Sequence, residues 1–271
     1  SGDWSSDVCS SDLFHEEMVE LARRHGVSVT WTALLSGMSG PGSHLRHLQR
    51  TEEQLDEGLS IIPQVACRPV MFDFDFGEPF PFGMLPVFRD ILKLDPEAKK
   101  SAYQDAGFRQ AFKEATATGV RHLLADWFSR TAISNLPADR SVEERFLANV
   151  AGERNVDPID LALDLSISSD FAARFRLPFL NYDHAEVSEL LANENTVLAL
   201  SDAGAHASQL CDACYSTHFL GHWVREEGVV ELERAVHMLT QRPADVMGLS
   251  DRGRLATGMP ADIVVFDPDR I

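Results

Sequence analysis

Three short apolar runs constrain this chain more than any other feature: VSVTWTALL at 27–35, LSIIPQVA at 59–66 and TVLAL at 196–200. Their β-branched and apolar residues have the look of strands covered on both faces, and such strands belong to parallel sheets. Parallel neighbours need a crossover between them, and helical patterns stand where crossovers would run. Met18, Val19, Leu21 and Ala22 recur at helical spacing over 15–24, with His25-Gly26 as a stop. A glycine-rich turn at 37–42 leads into a second helical segment, 44–57, closed by Gly58. This order of helix, strand, loop, helix and strand predicts an α/β fold with a parallel sheet or barrel.

The middle of the chain reads differently. Residues 67–100 carry Phe72, Phe74, Phe76, Phe80, Phe82 and Phe88 among several prolines and predict an irregular segment. Two readings of it stand: a loop packed over a core by its own rings, which is favoured, or a lid over an apolar substrate pocket. Helical patterns return at 106–116. Ser141-Val-Glu-Glu144 has the form of a capping box opening the next helix. Asp157-Pro158 is an N-cap followed by proline in the first turn, and Asp183 is placed to cap a helix running to Leu191.

Composition removes several function classes. With 271 residues the chain has room for one large domain or two small ones. Its net charge of −18 repels phosphate backbones and anionic lipid, which sets aside nucleic-acid and membrane-surface partners. No apolar run reaches the ~18 residues of a membrane-spanning helix. Four cysteines in a chain of this length do not make a disulfide framework, so a reducing cytoplasm is the expected compartment. Residues 2–13, GDWSSDVCSSDL, have neither helical nor strand periodicity and resemble the translation of a sequencing-library adapter. Residues 1–13 are accordingly read as a non-native segment, with the gene's own sequence resuming at Phe14 and a part missing before it.

The chemistry concentrates after the third run. Ser201-Asp202-Ala203-Gly204-Ala205-His206 leaves the C-terminal end of TVLAL, where parallel barrels carry their catalytic loops. A carboxylate there, followed by small residues, suits a general base, although an aspartate after a strand is commonly a turn or cap residue. Cys211-Asp-Ala-Cys214 has the spacing of a zinc or redox pair, but no second pair accompanies it, and packing is the favoured reading. Among ten histidines, His44 and His47 share a helix face and are expected to be solvated or loosely packed. His218 and His222 follow the Asp202 segment at i and i+4 and carry more weight. No HxH or HExxH pair of zinc-site form occurs.

Residues 200–271 carry a family resemblance. The turn SDAG, the segment LGHWVRE, the helix ERAVHMLTQRPADVMGL and the closing run DRGRLATGMPADIVVFDP resemble the C-terminal part of N-acyl-D-amino-acid deacylases. These are members of the metal-dependent amidohydrolase superfamily. The resemblance implies the C-terminal portion of a (β/α)8 TIM barrel over 14–250, with 251–271 as strands of a small β-sandwich, 261–266 among them. It implies hydrolysis of an N-acyl amino acid by zinc-activated water, with zinc ligands upstream of Phe14 and none assigned here. Asp202 matches the family's proton-transferring aspartate. His206 and His218 are candidate substrate-binding residues. One departure stands: the histidine such deacylases carry after the strand resembling 27–35 is replaced here by Thr32-Ala33-Leu34. The 271-residue chain alone is expected to be inactive. Alternative readings are a binding protein of the same fold without its metal, and a CxxC redox protein.

Overall fold

A computed structural model of the chain describes residues 15–117, 123–199 and 213–271. Its strands are β1 (Val29–Leu34), β2 (Ile61–Val65), β3 (Val70–Phe74), β4 (Ala132–Asn135), β5 (Arg174–Leu180) and β6 (Val197–Leu198). They fall into two compact units. Described residues 15–69, 180–199 and 213–271 form one, and 70–117 with 123–179 form the other. The second unit thus stands, in sequence, between β2 and β6.

The first unit holds the three strands predicted from the apolar runs. They form one parallel sheet in the order β1-β2-β6, with Val29 opposite Ile61 and Gln64 opposite Val197. β2 is central and buried along nearly its whole length, as expected. β1 is the exception, because among the described residues it is an edge strand, and Val29 to Thr32 are partly or fully exposed. Gln64 holds the β1–β2 pair by its side chain, donating to Thr30 Oγ1 and accepting from Thr32 Oγ1, both at 2.6 Å. Helices cover the sheet at Ser43–Asp56, His184–Ala192 and Leu232–Leu239. Leu34, Val65 and Leu198 bury their side chains with Leu190, Leu191 and Phe219 in a single apolar cluster. The predicted stop at Gly58 is realised with φ at +79°, a conformation that favours glycine.

The second unit is built on aromatic rings. The segment expected to be irregular contains strand β3, followed by short 3-10 turns at Phe80–Phe82, Pro86–Phe88 and Ile91–Lys93. β3 lies beside β5, and β5 pairs antiparallel with β4. Phe74, Phe76, Phe82 and Phe88 are fully buried, which is the packed-core reading of the segment; Phe80 alone of the six rings is exposed. Phe82 sits 4.8 Å from Trp127 and 5.0 Å from Phe112, ring centre to ring centre, both edge-on. That arrangement pairs the positive ring edge with the negative face.

Two expected caps form and one does not. Asp157 accepts from the amides of Ile159 and Asp160 at the head of Pro158–Ser168, and Asp183 accepts from Glu186 at the head of His184–Ala192. The Ser141 capping box is a correction. Asp139 takes the Ser141 amide and hydroxyl instead, closing a 3-10 turn at Arg140–Val142. Glu144, the box's intended partner, has φ at +62° outside any helix, and the next helix starts at Leu147. The nearer carboxylate won the serine.

The strand expected over 261–266 is also absent. Residues 261–266 run irregularly, with Ile263, Val264 and Val265 exposed at 60, 83 and 92%. A strand needs a partner for its amides, and none of the described residues supplies one.

Candidate active site

The site begins at the C-terminal ends of the parallel strands. Because β1, β2 and β6 are parallel, Ser36, Cys67 and Ala199 leave the same edge of the sheet. The Ala199 amide still donates to the Val65 carbonyl at 2.9 Å, so the chain departs toward Asp202 from that edge. Asp202, His206 and Cys211 themselves lie outside the described residues.

Asn181 ties this edge together. Its Nδ2 donates to the carbonyls of Ala66 at 2.9 Å and Arg68 at 2.8 Å, and its Oδ1 accepts from the Ser36 amide at 3.0 Å. Its own amide donates to the Ser36 carbonyl at 3.1 Å. With φ at +58°, Asn181 holds a left-handed conformation that asparagine tolerates better than most residues. The bonds fix the exits of β1 and β2 relative to one another and set the start of the helix that carries His184.

A π-helix over Phe219–Glu226 follows the short helix Tyr215–His218 and presents the histidines. Four residues apart across the junction of these helices, the His218 and His222 rings lie 5.0 Å apart and 27° from parallel. Trp223 points inward and donates its indole N–H to the Cys67 carbonyl at 2.7 Å. His184 stacks on the Trp223 ring at 4.5 Å. Carboxylates flank the group: Glu226 Oε2 is 3.2 Å from His222 Nδ1, and Glu227 Oε2 is 3.5 Å from His184 Nε2. Among the described residues, His184, His222 and Glu227 are the set placed to hold a metal ion.

His218 is held neutral. Burial lowers its pKa first, and the charges of Arg68 and His222 lower it further, against Glu226, to about 4. A neutral imidazole beside a guanidinium offers one donor and one acceptor nitrogen at neutral pH, which suits orientation of an amide or carboxylate.

Two of the cysteines, Cys67 and Cys214, lie at the same edge. Cys214 is exposed and its sulfur accepts from Arg68 Nη1 at 2.7 Å, while Cys67 is buried and donates to the Tyr215 carbonyl at 3.3 Å. The expectation for His44 is corrected. It is 1% exposed, with Nε2 2.7 Å from Glu189 Oε2, because its face of the helix packs on His184–Ala192 rather than on solvent. His47 is half-buried and rests against Trp31.

Sequence reasoning missed His184 and Glu227. They lie 43 residues apart, and only the folding of two helices onto one edge brings them together. Asn181 carried no signal beyond being an asparagine before a capped helix.

Comparison with known proteins gives one family and several relatives. Residues 154–271 match the amidohydrolase family. The chain is 31% identical over 258 residues to the D-aminoacylase of Alcaligenes xylosoxydans xylosoxydans, covering 93% of this chain and 48% of that protein. It is 42% identical over 244 residues to the N-acyl-D-aspartate deacylase of the same organism, covering 88% and 46%. The chain therefore spans just under half the length of these relatives. Its fold is similar to that of the N-acyl-D-glutamate deacylase of Bordetella bronchiseptica, a structure complexed with zinc and a phosphonate mimic of the tetrahedral intermediate. The TM-score is 0.50 at 20% identity, over 94% of this chain and 43% of that one.

Proposed function

Residues 154–271 match the amidohydrolase family, and from that match we propose that the protein containing this chain is a zinc-dependent N-acyl-D-amino-acid deacylase. Its substrate is a small N-acyl amino acid, and the bond broken is the amide. The observation that carries the reading is the parallel sheet β1-β2-β6, whose C-terminal edge is the one from which the chain leaves toward Asp202. Catalytic groups of α/β barrels sit on loops at that edge. In this reading 14–250 are part of a (β/α)8 barrel, which the relatives and the mixed α/β fold support, while 251–271, irregular in this chain, would join a β-sandwich in the whole protein.

Asp202 takes a proton from the attacking water and returns it to the leaving amine, the general acid–base work of one carboxylate in two steps. Bound zinc would supply Lewis acidity toward the water and the amide carbonyl. The described residues fit zinc chemically at one place, the two imidazoles and carboxylate of His184, His222 and Glu227. The HxH ligands that the resemblance implies are proposed to lie upstream of Phe14. His206 and His218 orient the substrate, His218 as a neutral imidazole. Asn181 keeps the strand exits in place beneath them. A reducing, cytoplasmic setting belongs to this reading, supported by the chain's low count of four cysteines. Among the described residues no helix is long and apolar enough to cross a membrane.

The test is a substrate panel on the full-length protein. N-acetyl-D-aspartate, N-acetyl-D-glutamate, N-acetyl-D-leucine and their L-enantiomers are assayed for release of the free amino acid. The reading expects turnover of at least one D-substrate, its loss on chelation and its return with zinc. Turnover confined to L-substrates, or none with any N-acyl amino acid, overturns it.

A further inference from the structure

We infer that His184, His222 and Glu227 form a binding site for a divalent cation of the zinc class. One donor atom from each lies within 4.8 Å of the other two. His184 Nε2 already stands 3.5 Å from Glu227 Oε2. Two imidazoles with one carboxylate are a donor set that zinc takes readily, and three protein ligands leave a fourth position for water or an anionic ligand. Tetrahedral coordination at about 2.1 Å requires donors roughly 3.4 Å apart. The groups therefore need to close by little more than an ångström, which side-chain rotation of the partly exposed His184 and Glu227 can provide.

The frame around the donors is rigid where it needs to be. His184 is the first residue of a helix whose N-cap, Asp183, accepts from the Glu186 amide. His222 lies within the π-helix, next to Trp223, which is anchored to the Cys67 carbonyl. Glu227 caps that π-helix, and its amide donates to the His222 carbonyl at 2.9 Å. Both histidine and carboxylate are thus held on one turn of backbone, with the second histidine opposite. Glu226 adds the outer support usual for a ligating imidazole, a carboxylate 3.2 Å from His222 Nδ1 that orients the ring.

Ring packing accounts for His184 against Trp223 and for His218 against His222. It does not require a carboxylate within reach of both imidazoles. A cation bound there would use that carboxylate, and the chain's net charge of −18 favours one. Borderline-soft divalent ions bind imidazole better than magnesium or calcium do, so zinc and cobalt are favoured over the hard alkaline-earth ions. The site stands independently of the deacylase reading, since no turnover enters its geometry.

Metal-stripped full-length protein titrated with zinc chloride by calorimetry, and with cobalt(II) by visible absorption, tests the site. The expectation is that, beside any zinc held by ligands upstream of Phe14, one further zinc equivalent binds, which His184→Ala and His222→Ala each weaken at least tenfold, with loss of the corresponding cobalt absorption band. Glu227→Gln, at a partly exposed position that leaves packing intact, also weakens that equivalent. His237→Gln, on an exposed histidine of another helix, leaves it unchanged. Magnesium and calcium do not compete. Identical zinc stoichiometry and affinity in parent, His222→Ala and Glu227→Gln overturns the site, as does equal loss in His237→Gln. The same outcome follows if magnesium displaces the zinc.

Discussion

The indole N–H of Trp223 donates to the carbonyl of Cys67 at 2.7 Å, fastening the π-helix to the residue just beyond the end of β2. Both groups are buried, so neither has water as an alternative partner. Trp223→Phe keeps most of the ring's contacts and removes that buried hydrogen bond, which costs about 1 kcal/mol or more. Urea unfolding followed by circular dichroism measures it. A loss well under 1 kcal/mol would mean that the bond contributes little to the fastening.

Asn181 makes a second, different fastening. Asn181→Ala removes three side-chain hydrogen bonds and keeps an alanine at positive φ, so a loss of about 2–4 kcal/mol is expected. Asn181→Gly relieves the backbone but not the lost bonds and should fall between parent and alanine. Asn181→Asp keeps the acceptor for Ser36 yet points a carboxylate at the carbonyls of Ala66 and Arg68, and should be no more stable than the glycine variant. The order of the three midpoints in a thermal melt is the measurement.

How much of this was readable beforehand depends on the range of the interaction. β1, β2 and β6 were legible because short runs rich in β-branched and apolar residues have few other uses, and Asp157 and Asp183 were legible because a cap acts within three residues. The Ser141 box failed on the same local logic, since Asp139 competes for that serine two residues earlier. Strand β3 was hidden because its alternate rings, Phe72 and Phe74, belong to an aromatic-rich stretch whose partners lie on β5 and on distant helices. The meeting of His184, His222 and Glu227 leaves no local trace at all. Asp202 was singled out by sequence, and its surroundings lie outside the described residues.

His218 links stability to pH. Its folded pKa, near 4, is below the ordinary histidine value, so the unfolded chain binds the proton more readily than the folded one. Its contribution is complete above about pH 6.5 and is lost as pH falls from there toward 4. His218→Gln should flatten the pH dependence of the melting midpoint over that window. Proton NMR titration of the His218 ring should show no midpoint above pH 6; a midpoint near 6.5 would contradict the desolvated, Arg68-facing environment.

Phe82 is the hub of the second unit, in ring contact with Phe74, Phe76, Phe88, Phe112 and Trp127. Phe82→Ala should cost about 3–5 kcal/mol, and Phe82→Leu distinctly less because much of the volume is retained. Near-ultraviolet circular dichroism should lose its aromatic fine structure in the alanine variant. If alanine and leucine variants melt alike, the aromatic packing is not what holds this unit.

In the proposed deacylase, proton transfer runs through Asp202 on the segment that follows β6 in sequence. Asp202→Asn in the full-length protein, compared with parent for release of free D-amino acid from N-acetyl-D-amino acids and for zinc content, tests it most directly. The amide cannot accept the proton, so kcat should fall by about 10²–10⁴-fold, with zinc content and the melting midpoint unchanged. Turnover within a few-fold of the parent would remove Asp202 from the mechanism and contradict the account.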